Sequence, residues 1–319
     1  MIMQSRRLNF MAALSGVLIA LQARANGELS QRLDNGLQAA LVSFGSGLVI
    51  IVIVALFNSS IKEGVRTLSK AVKEKKLPTW TLFAGMLGGS FVAVQTQIVP
   101  LIGVAIYSVA SIAGQSAISL LVDRIGLTGG GKKHITPRRV AAAFVTVFAV
   151  FISVADRLDG RDLSIAAVLL GVVAGAIVGV QRALNGQINE YSQQSFTTSL
   201  LNFAMGTTFL AVLLLIVIGF GGTELSPLPA GPWWIYTGGV LGVVYIAFTS
   251  TVVQHLGVLT FTLISVGGQL AGSLFIDLFS PIQGVQVSIY LVTGIAMTYL
   301  GVIVGGVSNQ RSRKRSSRQ

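Results

Sequence analysis

Ten long apolar runs follow one another almost without interruption in this sequence, and no other feature restricts its folding as much. A hydrocarbon core about 30 Å thick is crossed by roughly 20 apolar helical residues. Runs of that order cover Leu8–Leu29, Gln38–Phe57, Thr79–Val99, Gly103–Val122, Val140–Val154, Leu163–Ile188, Thr198–Gly219, Trp233–Val253, Gly257–Phe275 and Gln286–Gly305. A buried helix of a large soluble protein can be as apolar as any one of these, but ten in succession would leave too little polar surface for water. Only 11% of the residues are charged, against about 25% in soluble domains, and the mean hydropathy is +0.76. A β-barrel would alternate apolar and polar residues at period two. The pattern therefore predicts an all-α membrane protein with ten transmembrane helices. Arg6 and Arg7 ahead of the first run would suit a signal peptide, but no small-residue cleavage site precedes the next run, so the first run is read as a span.

The formal charge of +12 is read by location. Lys and Arg gather in alternate loops: Arg6 and Arg7; then Lys62, Arg66, Lys70, Lys73, Lys75 and Lys76; then Arg124, Lys132, Lys133, Arg138 and Arg139; then Arg311, Arg313, Lys314, Arg315 and Arg318. These eighteen fall on one side of a ten-span chain, and the other side has four, Arg24, Arg32, Arg157 and Arg161. The positive-inside bias puts both termini in the cytoplasm of a cell whose plasma (inner) membrane holds the protein. Attraction to anionic lipid headgroups is expected as well, and no nucleic-acid partner is needed to explain the charge. With no Cys and two His (His134 and His255), the chain has no disulfide scaffold, thiolate nucleophile or thiolate metal site. No cofactor and no enzymatic activity are expected.

The chain also repeats itself. An offset of 159 pairs Gly16 with Gly175, Gln22 with Gln181, Asn26 with Asn185, Gly27 with Gly186, Leu41 with Leu200, Phe44 with Phe203 and Gly47 with Gly206. After the second span the offset becomes 154, pairing Pro78 with Pro232, Trp80 with Trp234, Gly85 with Gly239, Gly88 with Gly242 and Gly103 with Gly257. It continues through Ser111–Ser265, Gly114–Gly268, Gln115–Gln269, Ser119–Ser273 and Asp123–Asp277. Apolar composition alone would match Leu, Val and Ala, not Gln, Asn, Asp and Trp in order. The repeats are residues 1–156 and 157–305, with a basic cytoplasmic tail at 306–319, where no order is expected beyond about Gln310. Five spans per repeat is an odd number, so the halves are expected to be inverted, the arrangement of transporters that rock one half against the other around a fixed site.

These residues resemble a known family. Five-plus-five inverted helices with both termini inside look like the drug/metabolite transporter superfamily. The twice-repeated Gly-x5-Gln-x3-Asn-Gly signature (Gly16/Gln22/Asn26/Gly27 and Gly175/Gln181/Asn185/Gly186), with Phe-x-x-Gly in spans two and seven, looks like its YdcZ-like branch of inner-membrane exporters. The resemblance covers nearly all of residues 8–305. It implies a substrate between spans 1–4 and 6–9, with spans 5 and 10 as scaffold or homodimer contact, and it supplies no ligand.

An amide inside hydrocarbon costs free energy unless paired. Gln22 and Asn26 share a helix face, as do Gln181 and Asn185, and Gln115 and Gln269 lie inside spans 4 and 9 beside Gly114 and Gly268. These side chains either line a central polar cavity or form interhelical hydrogen bonds at about 0.6 kcal/mol per pair; the lining is the expectation adopted. Gln95, Gln97 and Thr249 to Thr251 are secondary candidates. Arg182 falls close to Asn185 on the helical wheel and joins the candidate substrate-binding set. Arg24 points away from its amides, with Glu28 four residues on as its partner, or snorkels to headgroups. Asp123 and Asp277 end spans 4 and 9, where an anion opposes the helix dipole and calls for a cation. Arg24, Glu28, Asp123 and Asp277 are therefore gate or coupling candidates, with Asp123–Arg182 and Asp277–Arg24 as the hypothetical pairs and local pairing as the alternative. No carboxylate lies near the middle of a span.

Other motifs weigh less. Gly171-x3-Gly175-x3-Gly179, Gly85-x3-Gly89, Gly238-x3-Gly242, Gly268-x3-Gly272 and Gly301-x3-Gly305 are close-packing faces, the last a candidate dimer seam. Trp80, Trp233 and Trp234 anchor span starts at the interface. Gly129-Gly130-Gly131-Lys132-Lys133 lacks the spacing of a phosphate loop and reads as a linker. The function expected is a secondary active transporter exporting a small polar or amphipathic metabolite. A flippase or carrier of a lipid-linked substrate is the alternative.

Overall fold

The computed structural model describes residues 2–127, 135–157, 164–256, 258–280 and 286–316. Among them are ten α-helices and no strand: α1 (Ile2–Leu33), α2 (Gly36–Phe57), α3 (Ser59–Lys73), α4 (Ala84–Ile125), α5 (Pro137–Ser153), α6 (Ile165–Ser192), α7 (Ser195–Gly219), α8 (Gly238–Leu256), α9 (Val258–Phe279) and α10 (Ile289–Ser316). In an apolar medium a chain must satisfy its own backbone groups, and a helix does so locally. Of the described helical stretches, five are long and apolar enough to cross a membrane: Arg6–Leu33, Gly36–Phe57, Thr79–Val122, Ile165–Ser192 and Ser195–Gly219.

Spans 3 and 4 fall together in α4, on either side of a break at Gly103. α4 holds them as two helices that meet at Gly103, whose φ of 82° and ψ of 168° are open only to glycine. Pro100 just before it contributes no amide to the ladder. The chain reverses here. Ala84 and Leu127, at the two ends of α4, pack into one cluster with Leu184 and Ile188, while the middle of α4 lies at the other end of the bundle, where the Thr96 hydroxyl donates to Gly36 O at 2.8 Å. The two arms are therefore antiparallel. From Ile102 to Gly114 every residue is buried, so the second arm is the central strut, packed against α5, α6 and α9.

A difference from the expected spans lies after α2. The segment read as a basic loop forms α3, because Ile61, Gly64, Leu68 and Ala71 recur at helical spacing and are buried. They rest on the α6–α7 junction, where the Thr197 hydroxyl donates to Ile61 O at 3.1 Å and Gly64 sits against Thr197. Lys62, Glu63, Arg66, Lys70 and Lys73 occupy the exposed face. Just beyond, Glu74 lies 2.7 Å from the Lys76 ammonium, and the hydrogen bond from Lys76 holds its carboxyl below the usual range. α3 fixes the relative travel of the helices. α6 ends beside the end of α2, and α1 ends at its start, so α1 and α6 run in opposite senses. At the α1–α2 corner, Asn35 caps α2 by accepting from Gln38 N at 2.9 Å. Gln38 in turn donates to Ser226 O at 2.7 Å, which ties the chain after α7 across this corner.

α10 is helical to Ser316.

Backbone contacts between helices recur at the repeat offsets. A Cβ built on Gly175 would lie 1.9 Å from Ser111 O, and one on Gly16 would lie 1.9 Å from Ser265 O. Likewise Gly114 meets Val172 O at 1.9 Å and Gly268 meets Ala13 O at 2.1 Å, Gly85 meets Asn202 O and Gly239 meets Ser43 O, both at 2.5 Å. Phe44 lies on Gly206 and Phe203 on Gly47, with the two rings 5.3 Å apart. The glycines are where helix backbones touch.

Candidate functional site

Two polar clusters occupy the interior. The first joins α1 to α4 and the start of α8. Gln22 Nε2 donates to Gly238 O at 2.9 Å, Asn26 Nδ2 to Gln95 Oε1 at 3.3 Å, and Gln95 Nε2 to the Tyr107 hydroxyl at 3.5 Å. Asn26, Gln95 and Tyr107 are all fully buried. In this conformer Asn26 is thus a tie between helices, not an exposed wall of a cavity, and its Oδ1 has no hydrogen bond among the described residues. Val99 closes over the neighbouring Gly27, where an added Cβ would come within 2.8 Å of Val99 Cγ1.

The second cluster joins α6, α7 and the second arm of α4. Gln181 Nε2 donates to Asn202 Oδ1, and Asn202 Nδ2 donates to Asn185 Oδ1, each at 2.8 Å. Arg182, next to Gln181, donates through one amino group to Gln115 Oε1 and through the other to the Tyr245 hydroxyl at 3.5 Å. Gln115 also donates to Ser111 Oγ at 3.1 Å. Three helices converge on this guanidinium, yet Arg182 is exposed, Asn185 is only half-buried, and Gly186 is exposed, with nothing among the described residues within 4 Å of where a Cβ would stand. Sequence reasoning missed Asn202 and Tyr245. Asn202 could have been found, since it is the amide one residue before the repeated Phe203.

The structure leaves the remaining candidates apart from these clusters. Gln269 is buried on α9, its backbone against Gly16. Arg24 bonds Glu28 at 2.8 Å, as the four-residue spacing predicts, and lies over the Trp234 ring at 5.3 Å. Glu28 also pairs with Arg32 at 2.9 Å. Arg24 therefore has a local partner, and the pairing with Asp277 suggested by topology does not occur. Asp277 instead accepts from the amides of Val104 and Ala105, at 3.2 and 2.7 Å. These N–H groups are freed where the helix restarts after Gly103, so the carboxylate caps a new helix start and complements its dipole. The side chain of Asp123 lies outside the described residues, as do those of Thr249 to Thr251, His134 and His255. Among the described residues no group of His, Cys, Asp and Glu could hold a metal ion.

The arrangement is a helical bundle with buried amide ties toward one end and an open, cationic polar face toward the other. The family model described as "Putative inner membrane exporter, YdcZ" matches residues 8–152 and 166–304. The chain belongs to this family. It is thus a multi-pass helical protein of a family of inner-membrane exporters. A solved crystal structure, described only as that of a protein, is similar over 95% of this chain and 96% of its own, with a TM-score of 0.57 and 16% identity. At that identity the likeness concerns the fold alone. The comparison with curated proteins returns no match.

Proposed function

We propose that the protein is a secondary transporter that exports a small polar or amphipathic metabolite by alternating access, with two inverted five-helix repeats and both termini in the cytoplasm. Family membership supports transport, and the recurrence of backbone contacts at the repeat offsets supports the repeat. The opposite travel of α1 and α6 supports its inversion.

One observation carries the mechanism. Gly27 and Gly186 occupy equivalent positions, yet Gly27 is buried under Val99 while Gly186 is exposed. The same contrast separates fully buried Asn26 from half-buried Asn185. Equivalent sequences in unequal environments are what a two-state bundle displays in either state: the contacts around Asn26 closed, those around Asn185 parted. Exchanging the roles of the halves would bury Gly186 and release Gly27. On the charge distribution, the parted end faces the cytoplasm.

The test uses purified protein in liposomes preloaded with the small-molecule fraction of a cell extract. Released solutes are identified by mass spectrometry. A transporter releases a defined subset faster than protein-free liposomes do. Release profiles that coincide would remove the proposal, and movement of bilayer-inserted substrates alone would favour a lipid carrier.

A further inference from the structure

We propose that the exported solute is a small organic anion, a carboxylate or phosphate monoester, whose charge is held by the guanidinium of Arg182. This rests on the transporter reading and specifies its site.

Arg182 lies six residues before the end of the apolar run at Ile188, about 9 Å along the helix axis. A charge at that depth is costly unless it faces a partner or a water-filled space. The cations near the corresponding position of the first half offer a contrast. Arg24 shares its charge with Glu28, which also holds Arg32. The open cavity of about 720 Å³ beside them is lined by both Glu28 and Asp34, and so suits no anion. Among the described residues the partners of Arg182 are neutral, Gln115 on α4 and Tyr245 on α8, and no carboxylate lies within ion-pair distance.

Those two partners aim the guanidinium sideways across the bundle. A residue snorkelling to headgroups would extend along its helix to the membrane surface. Gln115 is itself fixed by Ser111, so the fork is held in one orientation, and its remaining N–H groups have no hydrogen-bond partner among the described residues. A planar guanidinium with free N–H groups matches the two oxygens of a carboxylate or phosphate. Its position between α4, α6 and α8, at the parted end, puts it where the two halves separate, as a transported ion requires.

The experiment is thermal unfolding of the full chain in neutral detergent with fixed panels. One holds acetate, succinate, citrate, inorganic phosphate and glycerol phosphate; the second holds acetamide, succinamide and glycerol; the third is phosphatidylglycerol. At least one soluble anion should raise Tm by about 2 °C or more, with no shift from its uncharged analogue. Arg182→Gln should abolish the shift, Arg182→Lys should retain part of it, and Tyr245→Phe, which leaves the charge in place, should weaken it. If Arg182→Gln does not fold, loss of the shift in a folded Gln115→Ala variant serves in its place. No shift from any soluble anion, a shift that survives Arg182→Gln, or an Arg182-dependent shift from the lipid alone overturns the proposal. Liposome release separates the two readings. Release of neutral solutes by Arg182→Gln protein leaves the transporter standing and removes the anion site. Anion binding without release of any solute keeps the site and removes the transporter.

Discussion

Gly103 and Asp277 depend on each other, and single-residue changes there have large expected effects. Gly103 has a backbone conformation closed to residues with a Cβ, so Gly103→Ala should destabilise the fold by about 1–3 kcal/mol. Asp277 answers the two amides that the break exposes. Asp277→Ala should cost about 1–3 kcal/mol by leaving buried donors unpaired, and Asp277→Asn, which keeps one acceptor, should cost less. Thermal unfolding in detergent checks both, and Asp277→Ala with an unchanged Tm would refute the capping role. In the sequence, Asp277 reads as an anion at the wrong end of its own helix in need of a cation. What it serves is the start of another helix, and the residue that creates that start lies more than 170 positions away.

Helix contacts divide the glycines into two kinds. At Gly114 and Gly175 a methyl group would meet carbonyl oxygens of the facing helix at 1.9 Å, and backbone cannot move aside as a side chain can. Gly114→Ala and Gly175→Ala should each push α4 and α6 apart, at about 1–3 kcal/mol or more. At Gly186 nothing among the described residues lies within 4 Å of an added Cβ, and Gly186→Ala should be neutral or stabilising by up to about 1 kcal/mol, the difference in helix propensity. Unfolding midpoints of the three variants decide this. All three glycines stand in the repeated pattern, and nothing in the sequence ranks them. α3 is hidden for a related reason. Its charged face makes the segment read as a loop, while Ile61, Leu68 and Ala71 show their purpose only against the α6–α7 junction.

At the scale of the whole molecule, alternating access requires Gly186 to become buried when Gly27 is released. Gly186→Leu should therefore fold normally yet disfavour the other state, reducing solute release by about tenfold to a hundredfold, the effect of 1–3 kcal/mol of overpacking. Full release from Gly186→Leu liposomes would argue against the exchange of roles. Orientation is tested with the cysteine-free background. Lys73→Cys should react with a membrane-impermeant maleimide only in inside-out vesicles, and Gly222→Cys only in intact cells or right-side-out vesicles. Labelling of both from the same side would refute the proposed topology.

The sequence alone determined that the chain is helical and membrane-embedded, where its apolar runs lie, and that its halves share a pattern. These are local or periodic properties: a run of apolar residues has the same transfer free energy in any helical bundle, and two copies can be aligned without knowing how they meet. The Arg24–Glu28 pair was legible for the same reason, since four residues along one helix set its distance. Only the tertiary structure decided which amides tie helices together and which remain open. It buried Asn26 and left Asn185 half-buried, although both stand in the same local pattern. It also joined Arg182 to Gln115 and Tyr245 across three helices. Those outcomes depend on how far apart helices stand at each end of the bundle, a distance that no residue encodes by itself.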